Sequence, residues 1–222
     1  MAEPVLYSND VSGYCCKVRI VLAHKSIACE ERMPPDGYGS AAYRAIVPTG
    51  TIPALVIGDL VLSESEAIVE YLDEAWPAPA MLPGDAASRA RLRQLSRFHD
   101  SRLEPPLRAL FGQVAPSSRD GSIVGANLAL FEARLAELAR IAAPAPLLGG
   151  AMLTLADCGY PATFMLGRGM AAAFGHTLAM PSVIEGFEAA LAAHPSVAPA
   201  LARCRAATEA WFAAKLGTPL AF

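Results

Sequence analysis

The spacing of hydrophobic and polar positions divides the chain into two unlike halves. The run PVLYS near the start is short, apolar and closed by polar turn residues, the pattern of a buried strand. From Tyr14 the period lengthens: Cys15, Val18, Val21 and Leu22 recur at helical spacing, leaving Lys17, Arg19 and Lys25 for the wet side and a cationic end. ACEERMP alternates Cys29, Glu31 and Met33 against Glu30 and Arg32, which predicts a strand, and PPDGYGS closes it with turn chemistry. SAAYRAIVP predicts a brief helix stopped by Pro48. In IPALVIGDLVLS two β-branched runs flank Gly58-Asp59, a strong hairpin signal. SEAIVEYLDEA then sets Ala67, Ile68, Tyr71 and Leu72 on one helical face. Strand, helix, strand, helix, hairpin and helix in that order predict a small mixed sheet with helices packed on it.

Periodicity lapses over AWPAPAMLPGDAAS, from Ala75 to Ser88, where three Pro and a Gly mark a linker. Beyond it strand signals nearly vanish. RARLRQLSRFHDSRLEPPLRALF reads as a long helix kinked or interrupted at Pro105-Pro106. NLALFEARLAELARI carries an apolar stripe of Leu128, Phe131, Leu135 and Leu138. Further helices are expected over Leu155 to Met165, Ser182 to Ala193, and Val197 to Lys215 with a break inside the last. Thr154 stands three residues before Asp157, the spacing of a capping box with Asp in place of Glu, so Asp157 is read as structural. The expected domains are therefore a mixed α/β unit over residues 1–80 and an all-helical one over 88–222.

Composition narrows the function classes. Hydrophobic residues make up 54% and charged residues 18% of the 222, a lean charge content that suits broad helix burial or a subunit interface. A net charge of −3 without blocks of like sign leaves no electrostatic footprint for nucleic acid. No segment reaches the roughly 18 apolar residues that span a bilayer, and MAEPVLYSND is no signal peptide, so a cytoplasmic protein with no membrane partner is expected. The five cysteines lack zinc-site spacing and the four histidines are scattered, so neither disulfides nor a metal are expected.

Chemistry concentrates in three blocks. In SGYCCKVRI, Ser12 stands at a strand-to-helix turn. In PTGTIPAL, Ile52-Pro53 enters a strand, where Pro survives only at an edge or in a special turn, sometimes cis. In LSESEAI, Glu64 and Ser65 lie at a helix start whose backbone N–H groups face outward for an anion. Ser12 alone reads first as an N-cap, and Glu64 alone as a solvated charge.

In this order and spacing, the blocks resemble the N-terminal thioredoxin-like domain of a glutathione transferase, and the linker and helical remainder fit the same family over the whole chain. Its serine-type classes, tau and zeta, carry R-V-R-I where this chain has K-V-R-I, and that register brings Ser12 to their activating hydroxyl. The reactive cysteine of the omega class falls opposite Ser12 as well, so Cys15 and Cys16 come a turn late. The resemblance implies glutathione as co-substrate, no metal, a small hydrophobic electrophile as the second substrate, and a homodimer. It implies that Ile52, presented by a cis Pro53, pairs with the cysteinyl main chain of glutathione, that Glu64 and Ser65 hold its γ-glutamyl end, and that Thr51 donates to its glycyl end. The electrophile pocket is then expected between the long helix and the segment near Trp211 and Phe212, with Arg97, Arg102 and Arg108 as candidate partners of a substrate carboxylate.

Such a site must make the bound thiol a thiolate, because only the anion attacks and an unperturbed thiol pKa is about 8.5. A shift of about two units needs roughly 2.7 kcal/mol. A hydroxyl donating to a charged acceptor supplies about 1.5–3 kcal/mol and a helix N-terminus about 0.3–1 more. Departures from the family pattern are Val47-Pro48 for the usual Asn-Pro, Thr51 for a Lys or Gln, Gly13 for the Pro of tau, and Ser12-Gly13-Tyr14 for the Ser-Ser-Cys of zeta. Glutathione-dependent isomerisation, thiol reduction through Cys15, and a noncatalytic role like that of the stringent starvation proteins stand as alternatives.

Overall fold

The computed structural model describes residues 3–222. Four short strands, β1 (Val5–Tyr7), β2 (Glu30–Arg32), β3 (Ala54–Ile57) and β4 (Leu60–Leu62), form a sheet in the order β2-β1-β3-β4. β1 runs parallel to β2 and antiparallel to β3, and β3 and β4 form the expected hairpin with Ile57 opposite Leu60. The parallel pair needs a crossover, which α1 (Gly13–His24) provides. The short α2 (Ala41–Arg44) and then α3 (Ser65–Ala75) complete the first part. This is the thioredoxin-like arrangement, followed by a wholly helical part: α4 (Ala86–Phe98), α5 (Glu104–Leu110), α6 (Gly121–Ile141), α7 (Tyr160–Ala173), α8 (Ser182–Ala193) and α9 (Ala198–Leu216). Among the described residues, no helix is long and apolar enough to cross a membrane.

The apolar stripe of α6 packs as expected, with Leu128, Phe131, Leu135 and Leu138 all buried. α8 matches its expected span, whereas α7 starts five residues later than expected. Leu155–Asp157 is a separate 3-10 turn closed by Asp157, which accepts from the Thr154 N–H (2.8 Å), the Thr154 hydroxyl (2.6 Å) and the Leu148 N–H (2.9 Å). Pro161 then sits in the first turn of α7, where a missing N–H costs nothing. α7 continues to Ala173 because Gly167 and Gly169 let the rings of Phe131 and Phe212 lie against its backbone; an added Cβ would stand 2.5 Å and 2.7 Å from them. α9 is unbroken, since its Ala-rich sequence supplies no stop signal before Gly217.

The interruption expected at Pro105-Pro106 falls upstream of the prolines. α4 passes into a π-helical turn at His99–Leu103, and the prolines occupy the first turn of α5. Pro105 and Pro106 have no N–H to close on the carbonyls four residues back, so the ladder widens before them. In α3, Ile68, Val69 and Leu72 face the core while Ala67 is exposed and Tyr71 half-buried, because the helix packs chiefly against α1 along the Ile68, Val69 and Leu72 side.

The larger correction concerns charge. Lys17, Arg19 and Lys25, expected on the wet side of α1, are all buried. α1 is enclosed by α3, α7 and α9, so its charged positions have no water and each meets fixed acceptors. Lys17 is paired with Glu66 of α3 and with Asp100 of the π turn at 3.1 Å. Arg19 holds Asp10 (2.8 Å) and Glu31 (2.8 Å). Lys25 meets Asp73 at 2.6 Å and donates to the carbonyls of Trp76 and Pro79, each 2.7 Å away, at the open end of α3. Burial pulls the Lys17 ammonium toward neutrality, but Asp100 and Glu66 outweigh it and keep the charge. Removing one partner of such a pair costs about 3–5 kcal/mol, because the other is left buried and uncompensated. Lys17→Met is therefore expected to lower the unfolding free energy in urea by about that much, and a loss below about 1 kcal/mol would show that the pair does not tie the two parts together.

Candidate active site

Two adjoining clefts open where the sheet end of the first part meets the helical part. The first, about 600 Å³, is lined by Pro53, Glu64, Ser65 and Ala67 on one side and by Arg97, Asp100 and Ser101 on the other. The second, about 480 Å³, lies between Asn9, Ser12 and Tyr38 and the wall of Arg108, Phe111 and Trp211. Tyr14, Thr51 and Ile52 line both. Volumes of this order suit small ligands. The predicted residues thus gather at one place: Ser12 in the second cleft, Pro53, Glu64 and Ser65 in the first, and Thr51 and Ile52 on their common edge.

Ser12 is the N-cap of α1, and its Oγ accepts the Cys15 N–H at 3.3 Å. Capping uses only a lone pair on the oxygen, so the hydroxyl proton stays available to an anion at the positive end of the helix. The cap and activator readings of Ser12 are compatible. Its backbone is held from behind: the Ser12 N–H donates to Asn9 Oδ1 (2.9 Å), and the Arg19 guanidinium reaches the Asn9 carbonyl (3.3 Å), Asp10 (2.8 Å) and Ser8 Oγ (3.0 Å). Arg203 of α9 grips the same Asp10 at 2.8 Å and Glu31 at 3.0 Å, so both parts of the chain clamp the loop before Ser12.

The Ile52–Pro53 peptide bond is cis. Thr51 is fixed through its carbonyl, which accepts from the buried Tyr43 hydroxyl at 2.9 Å, and its Oγ1 lies 2.9 Å from Thr49 Oγ1. Glu64 is the N-cap of α3 but makes no capping bond with its side chain, which is exposed. Ser65 is buried at the first position of that helix. Neither cysteine of the pair offers a free thiolate. Cys15 and Cys16 are fully buried; burial raises the Cys15 thiol despite the Ser12 and Asn9 contacts, and Cys204 together with burial holds Cys16 well above its ordinary value.

The three arginines separate. Arg97 faces the first cleft near Glu66 (3.6 Å) and Glu70 (3.5 Å), Arg102 turns away to Glu137 at 3.0 Å, and Arg108 faces the second, held by Glu104 at 2.8 Å. Trp211 lines the second cleft as expected, but Phe212 is turned into the core against Phe222, because the groove along Gly169 admits its ring.

A polar chain that the hydrophobic period does not mark lies behind both clefts. Asp100 accepts from Lys17 and lies 2.7 Å from His99 Nδ1; His99 Nε2 lies 2.6 Å from Thr163 Oγ1, which donates to Glu104, which in turn holds Arg108. Its members come from α1, the π turn, α5 and α7, and only the two adjacent prolines after Leu103 hinted that this stretch is irregular.

The residues from 6 to 80 match the sequence profile of the N-terminal domain of glutathione S-transferases. A maleylpyruvate isomerase from Ralstonia sp. is 33% identical over 144 residues, 59% of this chain and 68% of that protein. A stringent starvation protein A homolog from Pasteurella multocida is 41% identical over 90 residues, 40% of this chain and 42% of that protein, so the match spans about two-fifths of that relative. The crystal structure of a maleylacetoacetate isomerase from Anaeromyxobacter dehalogenans superposes with a TM-score of 0.71 at 27% identity, covering 90% of that chain and 89% of this one. The chain belongs to the glutathione S-transferase family.

Asp100 yields a pH prediction. Burial alone would raise its carboxyl, but the His99 and Lys17 contacts outweigh that and hold it at about 2, against an ordinary 3.8. A depressed folded-state value means stability that is complete above the unfolded value and lost as pH falls through the folded one. Urea unfolding should therefore show stability declining as pH drops between those two values, with a flatter profile in Asp100→Asn. Equal slopes would remove Asp100 as the source.

Proposed function

We propose that the chain is a glutathione transferase in which Ser12 stabilises the glutathione thiolate for attack on a small hydrophobic electrophile. The observation that carries this reading is the Ser12 hydroxyl at the N-terminus of α1, beside the edge where two clefts of suitable size meet. The tripeptide takes the first cleft: the Ile52 backbone pairs with its cysteinyl unit, the Glu64 carboxylate takes the γ-glutamyl ammonium, the Ser65 hydroxyl takes the carboxylate, and Thr51 donates to the glycyl end. The electrophile takes the second cleft, against Phe111 and Trp211. Residues 1–80 thus supply the tripeptide cradle and 88–222 the electrophile wall. Five free cysteines fit a reducing cytoplasm. Exposed Ile123, Leu130 and Ile141 fall on one face of α6 and support a homodimer.

Isomerisation at the same site is the second reading. It is favoured by the likeness to the Ralstonia maleylpyruvate isomerase and by Arg108, a cation facing the electrophile cleft and suited to a substrate carboxylate. Thiol reduction through Cys15 is disfavoured, since its sulfur is buried and protonated.

Ser12→Ala is expected to abolish the ultraviolet thiolate band of bound glutathione and to lower kcat/KM for an aryl halide at least tenfold, about 1.4 kcal/mol. Unchanged turnover would refute the role of Ser12. Glu64→Gln should instead raise the KM for glutathione with kcat nearly preserved, the signature of lost uniform binding. If the natural chain is not retained on immobilised glutathione, a noncatalytic binding role replaces both enzymatic readings.

A further inference from the structure

We propose that Thr163 and His99, which line neither cleft, are positioning residues that aim the Arg108 guanidinium into the second cleft, and that this cleft is thereby set to receive electrophiles carrying a carboxylate. This rests on the reading above in which Arg108 meets the second substrate, and it assigns what holds that arginine in place. Arg108 needs holding. Its side chain is 38% exposed, and a long cation free to wander in water surrenders rotamer freedom whenever a ligand fixes it. Here the order is built in beforehand: the guanidinium lies 4.6 Å from the centre of the Tyr14 ring and 5.3 Å from that of Phe111, and Nε donates to Glu104 Oε2 at 2.8 Å. The tether takes Nε alone. Among the described residues no acceptor takes the two terminal nitrogens, which can grip a carboxylate as a fork.

The aim of Arg108 is therefore only as good as the seating of Glu104. That residue is 2% exposed, and a carboxylate at such depth must have both oxygens met. Oε2 meets Arg108, and Oε1 accepts from the hydroxyl of Thr163, a buried residue of α7 59 positions further along the chain. Thr163 Oγ1 is pinned in turn by His99 Nε2 at 2.6 Å, and the imidazole is anchored at its other nitrogen, 2.7 Å from Asp100. Gly159 admits the ring, since an added Cβ would stand 2.6 Å from it. Without the Thr163 hydroxyl, Oε1 loses its donor, because His99 Nε2 lies 3.8 Å away and is too far to replace it. The carboxylate then turns to find another partner and takes Arg108 with it.

The π turn is what makes this arrangement possible. Five residues apart on an α-helix, His99 and Glu104 would point about 140° away from each other. Over His99–Leu103 the backbone bond closes instead from the Glu104 N–H to the His99 carbonyl, which brings the two side chains to one side with Thr163 Oγ1 bonded to both. The irregular turn thus serves the second cleft as well as the prolines that follow it. Ser12 and Arg108 line that same cleft, so an electrophile held by its carboxylate keeps the rest of its body before the sulfur that Ser12 activates. A neutral electrophile gives Arg108 nothing to hold and is indifferent to its aim.

The test uses the full chain and two aryl halides of one shape, chlorodinitrobenzene and chlorodinitrobenzoate, of which the second bears a carboxylate. Arg108→Gln should raise KM for the benzoate about tenfold or more, with KM for chlorodinitrobenzene and for glutathione held within about twofold. Thr163→Val, close in shape but without the hydroxyl, should raise KM for the benzoate about fivefold or more and hold the other two, and Thr163→Ser should restore it. A merely structural role would not give that split, since loosened packing touches both halides alike. If Arg108→Gln leaves the benzoate unchanged, or the natural chain turns over neither halide, the reading of the site and the proposal fall together. If Arg108→Gln separates the halides but Thr163→Val does not, or Ser fails to restore what Val removes, the proposal falls alone. Should Val unfold the chain, as loss of a cooperative melt would reveal, Thr163→Cys, with only a weak donor, takes its place, and an unchanged KM for the benzoate in that variant overturns the proposal.

Discussion

The ammonium of Lys17, enclosed between Glu66 and Asp100, is the constraint on which the rest of the architecture depends. An unpaired charge at that depth costs several kcal/mol, so α1 can be buried on all sides only if α3 and the π turn arrive with their carboxylates. Those two partners belong to different parts of the chain, and the requirement therefore fixes the sheet against the helical part. Ser96 of α4 adds a hydrogen bond to Glu66 at 2.9 Å, so α4 and the π turn share the junction. Both clefts are consequences of this docking, since each has one wall from either side of it.

The elements with strong apolar periods were legible before any coordinates: β1, the Gly58-Asp59 hairpin, the stripe of α6 and the span of α8. The charged positions of α1 were not. Lys and Arg are solvated in most proteins, and nothing within a few residues marks them otherwise. The partners of Lys17 lie 49 and 83 residues away, beyond any local pattern. The position of the π turn is illegible for a related reason: proline names the N–H groups that are missing, but the stretch that absorbs the loss is held by the tertiary contacts of His99 with Thr163 and of Asp100 with Lys17. Ser12, Ile52, Pro53, Glu64 and Ser65 stand out in the sequence because helix and strand starts leave a mark there, and the fold brings them to two adjoining clefts.

α1 sets three side chains of different reactivity within one turn. Ser12 lines a cleft while its oxygen accepts the Cys15 N–H, Cys15 is turned inward where burial keeps it neutral, and Tyr14 lines both clefts. Neighbours on a helix point to different sides, which separates Tyr14 from Cys15, and Ser12, as the extended N-cap, lies outside the helical spacing. The same N-terminal dipole that favours an anion beside Ser12 cannot ionise Cys15, because it is worth about 0.3–1 kcal/mol, less than desolvation at a buried sulfur.

The likeness to the stringent starvation homolog spans 90 residues and that to the maleylpyruvate isomerase 144, more than the sheet part alone can supply. A shared sheet unit argues for a shared cradle and no further, because the chemistry of a fold is decided by the groups that face the second ligand. In this chain α5, the turn after it and α9 bring Arg108, Phe111 and Trp211 to the wall of the second cleft. A surface kept only for protein contact has no need of a guanidinium tethered by a buried Glu104 beneath an aromatic wall, since holding that carboxylate out of water is itself costly. The Glu104–Arg108–Tyr14 stack is therefore the feature of this chain that most favours catalysis over a purely structural use of the cleft.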